Sequence, residues 1–143
     1  MDKYKVWLRQ TNLKVTKARL HMLHSLENSE QFLSAEELFN NLKPSIENLS
    51  LSTIYRSLEQ MQKKGIVSEV AQENRKEVVY ELAHDSHAHH LICLSCGKVE
   101  HIHECPVEYF ENQVQKEYDF KVTNHVLDLY GYCKSCRTDP ADD

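Results

Sequence analysis

The sequence predicts an α+β protein of two parts, a winged helix-turn-helix domain over residues 1–83 and a small α/β domain over residues 84–143. Three observations lead to this prediction. Apolar residues recur at helical spacing through the first half, and two alternating segments follow its last helix. Cysteine pairs and histidines concentrate in the second half. Short helices followed by a two-stranded hairpin are typical of a winged helix.

Four helices are predicted in the first half, and three of them have an N-terminal cap. Thr16 caps the second helix, and Ser34 with Glu37 forms a capping box at the start of the third. Ser50 or Ser52 caps the fourth helix. The apolar positions at helical spacing are Val6, Leu8, Leu20, Leu23, Leu26, Leu38, Phe39, Leu42, Ile54, Leu58 and Met61.

Strand-like segments follow the fourth helix and recur in the second half. IVSEV and EVVYEL alternate like the two strands of a hairpin, and the polar HDSHAHH then predicts a hinge. Beyond the hinge we predict strands at HLIC and KVEHI, a helix from about Pro106 to Tyr118 and a last strand, FKVTNHVLDLYGY. A part of about 60 residues is small, so we expect it to need zinc and a second subunit for stability.

Composition and charge narrow the functional classes. The 143 residues are 41% hydrophobic and 27% charged, as in a soluble globular protein, and contain no apolar run of membrane-spanning length. The start MDKYKVWLRQ lacks a signal-peptide core, so a cytoplasmic location is expected. Residues 1–82 carry 12 basic and 11 acidic side chains, whereas residues 83–143 carry 5 and 11. The first part therefore suits a contact with phosphates better than the second.

The strongest motif is a pair of C-x-x-C sequences. Their cysteines are Cys93, Cys96, Cys133 and Cys136. Two intervening residues let a tight turn aim both sulfurs at one ion, and Gly97 permits the positive φ of such a turn. Four thiolates close a tetrahedral shell, so we predict a structural Zn²⁺ site; redox-active dithiols are the alternative. Cys105 has no C-x-x-C partner and is expected to be a half-buried thiol.

Histidines concentrate just before the first cysteine pair. On an extended strand alternate side chains face the same side, so His87 and His89 are expected on one face and His90 on the other. Two imidazoles at this spacing beside a zinc site favour a second metal site. Glu108 on the following helix and His125 on the last strand complete a set of three nitrogens and one oxygen. Such a set suits Zn²⁺ and also accepts Fe²⁺, manganese or nickel.

These motifs resemble the ferric uptake regulator family, a superfamily of iron-, zinc-, manganese-, nickel- and peroxide-sensing repressors. The resemblance covers nearly the whole chain through LKVTKAR at 13–19, LSAEELF at 33–39, LSTIYRSLEQM at 51–61, HAHHLICLSCGK at 87–98 and LYGYCKSC at 129–136. It implies a winged helix that binds a double-stranded DNA operator and a C-terminal domain that forms a homodimer. The expected function is metal-dependent repression of metal-homeostasis genes, with neither a membrane nor a small-molecule substrate as partner.

The resemblance also implies roles for single residues. Tyr55 and Arg56 on the fourth helix approach bases and phosphates, Ser52 and Thr53 belong to the same DNA-binding set, and Lys14 reaches toward the minor groove. Arginine and lysine neutralise phosphates or read guanine, and a tyrosine ring can contact a thymine methyl. The family's structural zinc ligands correspond to the four cysteines of the C-x-x-C pairs. A further family site corresponds to His87, His89, Glu108 and His125.

Another metal site of the family, between its two domains, has lost ligands in this chain. The corresponding positions are Phe32, Glu81, Ala88, His90 and His101, of which Phe32 and Ala88 do not coordinate metal. Glu81, His90 and His101 remain as a second candidate regulatory set, with Glu69 or His84 as replacement ligands. The complete set that includes His125 is therefore the expected regulatory site.

Zinc is the expected regulatory metal, and Fe²⁺ is the alternative. The Cys105-Pro106 pair resembles one found in the zinc-responsive branch of the family, and His89 replaces an oxygen ligand frequent in iron sensors. The peroxide-sensing branch is disfavoured, since Arg56 follows Tyr55 where that branch usually has asparagine.

Two other functional classes remain open for a protein with these motifs. A zinc hydrolase or deaminase would use Glu100 or Glu104 as acid and base, but the deaminase pattern H-x-E followed by P-C-x-x-C is missing. A zinc-ribbon module that binds proteins and not DNA is the third class. The expectation is a regulator without enzymatic activity, and metal-dependent affinity for a duplex separates it from both alternatives.

Overall fold

A computed structural model of the chain describes residues 1–83 and 89–138, and it divides into two compact units, Met1–Ala83 and His84–Asp143. The N-terminal unit contains α1 (Asp2–Gln10), α2 (Lys17–Asn28), β1 (Leu33–Ser34), α3 (Ala35–Leu42), α4 (Leu51–Lys63), β2 (Val67–Val70) and β3 (Val79–Leu82). The C-terminal unit contains β4 (His89–Cys93), β5 (Val99–Ile102), α5 (Glu108–Tyr118) and β6 (Asp128–Gly131). The predicted α+β class, with a winged helix followed by a small α/β domain, is confirmed.

Three helices of the N-terminal unit begin at the predicted caps. The side chain of Thr16 accepts a hydrogen bond from the backbone N–H of Arg19 at the start of α2. Ser34 and Glu37 form the reciprocal capping box of α3. Ser50, and not Ser52, caps α4.

The wing of the N-terminal unit is the antiparallel pair β2 and β3, which is registered from Val67 opposite Leu82 to Val70 opposite Val79. The short strand β1 pairs with the other edge of β3, so the sheet has the order β1-β3-β2. This strand was not predicted, because two residues are too few to show an alternating pattern. Arg75, in the connection between β2 and β3, donates to the Phe32 carbonyl oxygen and pairs with Glu37.

A continuous apolar core fills the N-terminal unit. Leu8, Leu23, Leu38, Ile54 and Leu58 are at most 1% exposed, so every helix contributes a buried side chain. The buried residues of each of these helices recur at helical spacing, as predicted for amphipathic helices.

The C-terminal unit is a three-stranded sheet of order β5-β4-β6 with α5 in the crossover to its last strand. The strand β4 is antiparallel to β5 and parallel to β6. The last strand is shorter than predicted, because only Asp128–Gly131 pairs with β4. Asp119, whose φ is 51°, ends α5 in the left-handed conformation.

Apolar side chains of the C-terminal unit are largely exposed. Among its described residues, Ile92 and Cys93 are the buried apolar side chains, and α5 buries none. The large exposed ones are Leu91, Leu94, Tyr109, Phe110, Tyr118, Phe120, Val126, Leu129 and Tyr132. Within both described ranges, no helix has the length and apolar character needed to cross a bilayer.

Candidate functional site

The two C-x-x-C turns lie at the same end of the C-terminal sheet. Because β4 and β6 are parallel, with Cys93 opposite Gly131, the chain leaves both strands in the same direction. The N–H of Leu94 donates to the Gly131 carbonyl oxygen at 2.8 Å, which holds the two exits together. Gly97 closes the first turn with a φ of 79°, and its N–H bonds the Cys93 carbonyl oxygen. The sheet topology thus brings together two cysteine pairs that are separated by 36 intervening residues in the sequence.

The four cysteine sulfurs form one cluster. The Sγ atoms of Cys93, Cys96, Cys133 and Cys136 all lie within 4.8 Å of one another. Cys96 Sγ and Cys133 Sγ are 3.8 Å apart. Two zinc–sulfur bonds of about 2.3 Å at a tetrahedral angle require a sulfur separation of about 3.8 Å, so this spacing fits a four-thiolate zinc shell.

The backbone of the turns prepares Cys93 for metal binding. The N–H groups of Cys96 and Cys133 donate to the Cys93 sulfur and lower the pKa of this thiol to about 6. A thiol with this pKa is largely a thiolate at neutral pH, and the thiolate is the form that binds metal. The arrangement is suited to holding a metal ion.

A second cluster lies at the other end of β4. His89, at the start of this strand, is 4% exposed, and it groups with Cys105 and His125. The His125 Nε2 atom lies 3.3 Å from the His89 Nε2 atom and 3.3 Å from the Cys105 Sγ atom. The two imidazole rings stack with centroids 5.1 Å apart. Three side chains of types that commonly bind transition metals therefore converge here.

The second cluster overlaps the predicted regulatory set without coinciding with it. His89 and His125 are common to both. His87 lies outside the described residues, and Glu108 is exposed at the first position of α5 and is not among the converging groups. Glu111, one helical turn later, instead contacts the Nδ1 atom of His125.

The second candidate regulatory set is divided between the two units. His90 and His101 are opposite each other on β4 and β5, with ring centroids 5.1 Å apart. Nδ1 of His90 also lies 2.9 Å from a carboxylate oxygen of Asp128 on β6. In the N-terminal unit, Glu81 lies on β3, and Glu69 on β2 accepts a hydrogen bond from Gln62. His84 lies outside the described residues.

The exposed face of α4 carries the residues assigned to DNA by resemblance. Ser52, Tyr55 and Arg56 are exposed, whereas Thr53 is half-buried and its N–H is bound by the Ser50 cap. The buried positions of α4 recur at helical spacing on the opposite side of the helix, which packs into the core. In the loop before α2, Lys14 is also exposed, and its carbonyl oxygen accepts from Arg19.

A polar contact holds the exposed face of α4 against α3. The Tyr55 hydroxyl donates to Glu36 at 2.5 Å, and this hydrogen bond raises the pKa of the phenol. Tyr55 nevertheless remains 45% exposed. The protein therefore orients the ring while nearly half of the residue remains exposed.

Three residues that belong to these clusters or contact their histidines are not predicted from the sequence. The sequence predicts Cys105 as a half-buried thiol without a C-x-x-C partner, and it predicts no role for Glu111 or Asp128. For two of these residues the sequence contains a signal. Cys105 is a metal-ligating residue type within a histidine-rich stretch, and Glu111 lies one helical turn after the predicted Glu108.

Comparison with known proteins agrees with the geometry. The model of the Ferric uptake regulator family matches residues 10–130. The ferric uptake regulation protein of Yersinia pestis is 40% identical over 135 residues, which cover 92% of this chain and 90% of that protein.

Solved structures give the same result. The ferric uptake regulator of Vibrio cholerae superposes with a TM-score of 0.71 at 37% identity, over 92% of this chain and all (100%) of that one. The ferric uptake regulator of Helicobacter pylori, described as having three functional metal binding sites, superposes with a TM-score of 0.73 at 28% identity, over 97% of this chain and 92% of that one. The family match, the high identity and the shared fold together establish that the chain belongs to the ferric uptake regulator family.

Proposed function

We propose that this chain is a metal-dependent transcriptional repressor that binds operator DNA as a homodimer. The observation that carries the proposal is the exposed face of α4, where Ser52, Tyr55 and Arg56 lie together on the helix that precedes the wing. In helix-turn-helix proteins this helix enters the major groove. Residues 1–83 would then be the DNA-binding domain, and residues 84–143 the metal-binding and dimerisation domain.

Chemistry supports a DNA contact at this surface. The Arg56 guanidinium can pair with a phosphate or donate two hydrogen bonds to guanine, and the Tyr55 ring can pack on a thymine methyl. Lys14 adds a positive charge in the loop before α2. Six basic residues against one acidic residue among the first twenty favour approach to phosphates.

Homodimer formation is supported by the exposed apolar side chains of the C-terminal unit. Tyr109 and Phe110 on α5 are 73% and 59% exposed, and Leu129 on β6 is 49% exposed. Side chains of this size are commonly covered in a subunit interface. A two-fold dimer would present two α4 helices to two DNA half-sites.

We further propose that the four cysteines hold a structural Zn²⁺ ion and that the cluster around His125 is regulatory. A bound divalent ion links side chains that come from different segments of the chain. His89 begins the first strand after the connection between the units, so constraining it is suited to setting the spacing of the two DNA-binding domains. Dimers with the matching spacing would then bind the operator more tightly.

Zinc is our proposal for the sensed metal. A cluster of two imidazoles and one thiol suits zinc well. Fe²⁺ is the second candidate, because the relatives with the greatest identity reported above are ferric uptake regulators.

The test is binding to a labelled operator duplex with and without added zinc, Fe²⁺ or Mn²⁺ under anaerobic conditions. We expect binding only with metal. Arg56→Ala should weaken it by about 1–3 kcal/mol if Arg56 reads a base, with zinc content and dimerisation unchanged. Lys121→Ala removes one exposed positive charge from the C-terminal unit and is the matched control. Metal-independent binding, or equal losses in both variants, would contradict the proposal.

A further inference from the structure

The cluster of His89, Cys105 and His125 has a ligand set different from the one that the family resemblance assigns. All three residues belong to the C-terminal unit, so their arrangement is internal to that unit. Each comes from a different segment: the start of β4, the loop before α5 and the loop before β6.

Contacts with oxygen atoms set which nitrogen of each ring faces the cluster. Nδ1 of His89 lies 3.0 Å from the carbonyl oxygen of Leu127, and Nδ1 of His125 contacts a carboxylate oxygen of Glu111. Carbonyl and carboxylate oxygens only accept, so both Nδ1 atoms carry the proton. In the neutral rings each Nε2 atom then presents a lone pair to the other ring and to the Cys105 sulfur.

Two nitrogen lone pairs that face each other repel unless a cation lies between them. The Nε2 atoms of His89 and His125 are 3.3 Å apart. Zinc–nitrogen bonds of about 2.05 Å at a tetrahedral angle require about 3.4 Å between the nitrogens. A mixed nitrogen and sulfur pair requires about 3.6 Å, close to the 3.3 Å between Cys105 Sγ and His125 Nε2.

We propose that Cys105 is a thiolate ligand of this site, together with His89 and His125, and that Glu111 orients His125 while Glu108 is not a ligand. The proposal deepens the regulatory site proposed above, on which it rests, but it does not depend on DNA binding. Glu111 occupies the place of the carboxylates that commonly fix the ring of a metal-binding histidine. Glu108, one turn earlier on α5, is exposed to solvent.

The thiolate gives the site a preference among metals. Soft sulfur ligands favour zinc, whereas carboxylate-rich sites favour manganese. Zinc also binds a given site more tightly than Fe²⁺ does in the intrinsic order of affinity. Replacing a carboxylate by the Cys105 sulfur therefore shifts the site toward zinc.

Cobalt(II) tests the sulfur ligand without any DNA. Protein that already holds one structural zinc per chain is titrated anaerobically with cobalt(II), and zinc content is measured afterwards to establish that the four-cysteine site has not exchanged. We expect near-ultraviolet thiolate-to-cobalt absorption in the natural chain and its loss in Cys105→Ser, with affinity reduced more than about 100-fold. Unchanged absorption in Cys105→Ser would overturn the proposal.

A second measurement needs no variant. In the natural chain, zinc added beyond the structural equivalent should protect Cys105 from alkylation, as followed by peptide mass spectrometry. Alkylation of Cys105 at an unchanged rate would overturn its assignment as a ligand even if Cys105→Ser failed to fold.

Two glutamates on one helix test the positioning role. Glu111→Ala should weaken cobalt(II) binding about 10–100-fold, and Glu111→Gln should recover part of this loss because its amide oxygen still accepts from His125. Glu108→Ala, the matched control, should bind like the natural chain. A larger loss in Glu108→Ala than in Glu111→Ala, or no recovery in Glu111→Gln, would contradict the positioning role.

Discussion

The two units of this chain rely on different sources of stability. The N-terminal unit buries side chains from all four helices, among them Leu23, Leu38 and Leu58. Among the described residues of the C-terminal unit, buried apolar side chains are confined to Ile92 and Cys93, and potential metal ligands converge in two clusters instead. This chain therefore combines a unit that folds by apolar burial with a unit that we expect to need metal and a partner subunit.

The largest expected effect comes from the four-cysteine cluster. Cys93→Ser should release tightly bound zinc and unfold the C-terminal unit, because structural zinc contributes about 10–16 kcal/mol in zinc-finger peptides. The N-terminal unit should stay folded. Trp7, the single tryptophan of the chain, packs against the N-terminal core, so its fluorescence reports on that unit. Zinc analysis and hydrogen exchange of the C-terminal peptides report on the other.

The control for this variant is Cys105→Ser, which leaves the four-cysteine cluster intact. It should keep one structural zinc per chain and the exchange protection of the C-terminal sheet. A Cys93→Ser protein that remains a folded dimer with full zinc content would refute the structural assignment of the cluster.

Replacing one leucine in each unit should have effects of intermediate size, and these effects should differ between the two units. Leu58→Ala removes a side chain that is 1% exposed from the N-terminal core and should lower the free energy of unfolding by about 2–5 kcal/mol. Leu129→Ala removes one that is 49% exposed from the C-terminal unit. It should leave the folding of the monomer nearly unchanged and weaken self-association.

Chemical denaturation followed by Trp7 fluorescence measures the first effect, and sedimentation at several protein concentrations measures the second. A Leu129→Ala protein with unaltered self-association would show that the exposed apolar side of the C-terminal sheet is not in the interface.

The smallest expected effect concerns the wing. Burial alone would raise the pKa of Glu37, but hydrogen bonds from Arg75 and from the Ser34 N–H, with the charge of Arg75, outweigh it and lower the pKa. The resulting stabilisation is therefore present above the pKa of the unfolded carboxyl and is lost as the pH falls through the folded value. Since 38% of the Glu37 side chain is exposed, solvent screening limits it to about 1 kcal/mol or less.

Glu37→Gln retains the capping hydrogen bonds and removes the charge. Followed by Trp7 fluorescence, the melting temperature of Glu37→Gln should be lower than that of the natural chain at neutral pH. This deficit in melting temperature should shrink in acid. Glu30→Gln, at an exposed position, is the control. A deficit that grows as the pH falls would contradict the sign of the pKa shift.

Much of the fold was predictable because its signals are local. Caps such as Ser34 and Thr16 act within three residues, and the C-x-x-C spacing shapes its own turn. The strand β1 was not predictable, since it exists only through its pairing with β3. The predicted last strand was too long because its alternating pattern continues upstream of Asp128, where no pairing with β4 occurs.

The ligands around His125 depend on tertiary structure. Glu108 and Glu111 are one helical turn apart, so sequence spacing alone does not decide between them. The start of α5 distinguishes the two glutamates. Glu108 occupies the first position of the helix, and the carboxylate that contacts His125 belongs to Glu111 in the next turn. Cys105 reaches the cluster through the loop before α5, which no periodic pattern describes.

The most direct test of the account is the zinc concentration that gives half-maximal operator binding in the natural chain, in His125→Ala and in His90→Ala. His125 belongs to the cluster proposed as regulatory, whereas His90 lies next to it in sequence and contacts Asp128 and His101. We predict that His125→Ala raises this concentration by more than about 100-fold or abolishes the response, and that His90→Ala costs less. Loss of the response in His90→Ala with a normal response in His125→Ala would contradict the account.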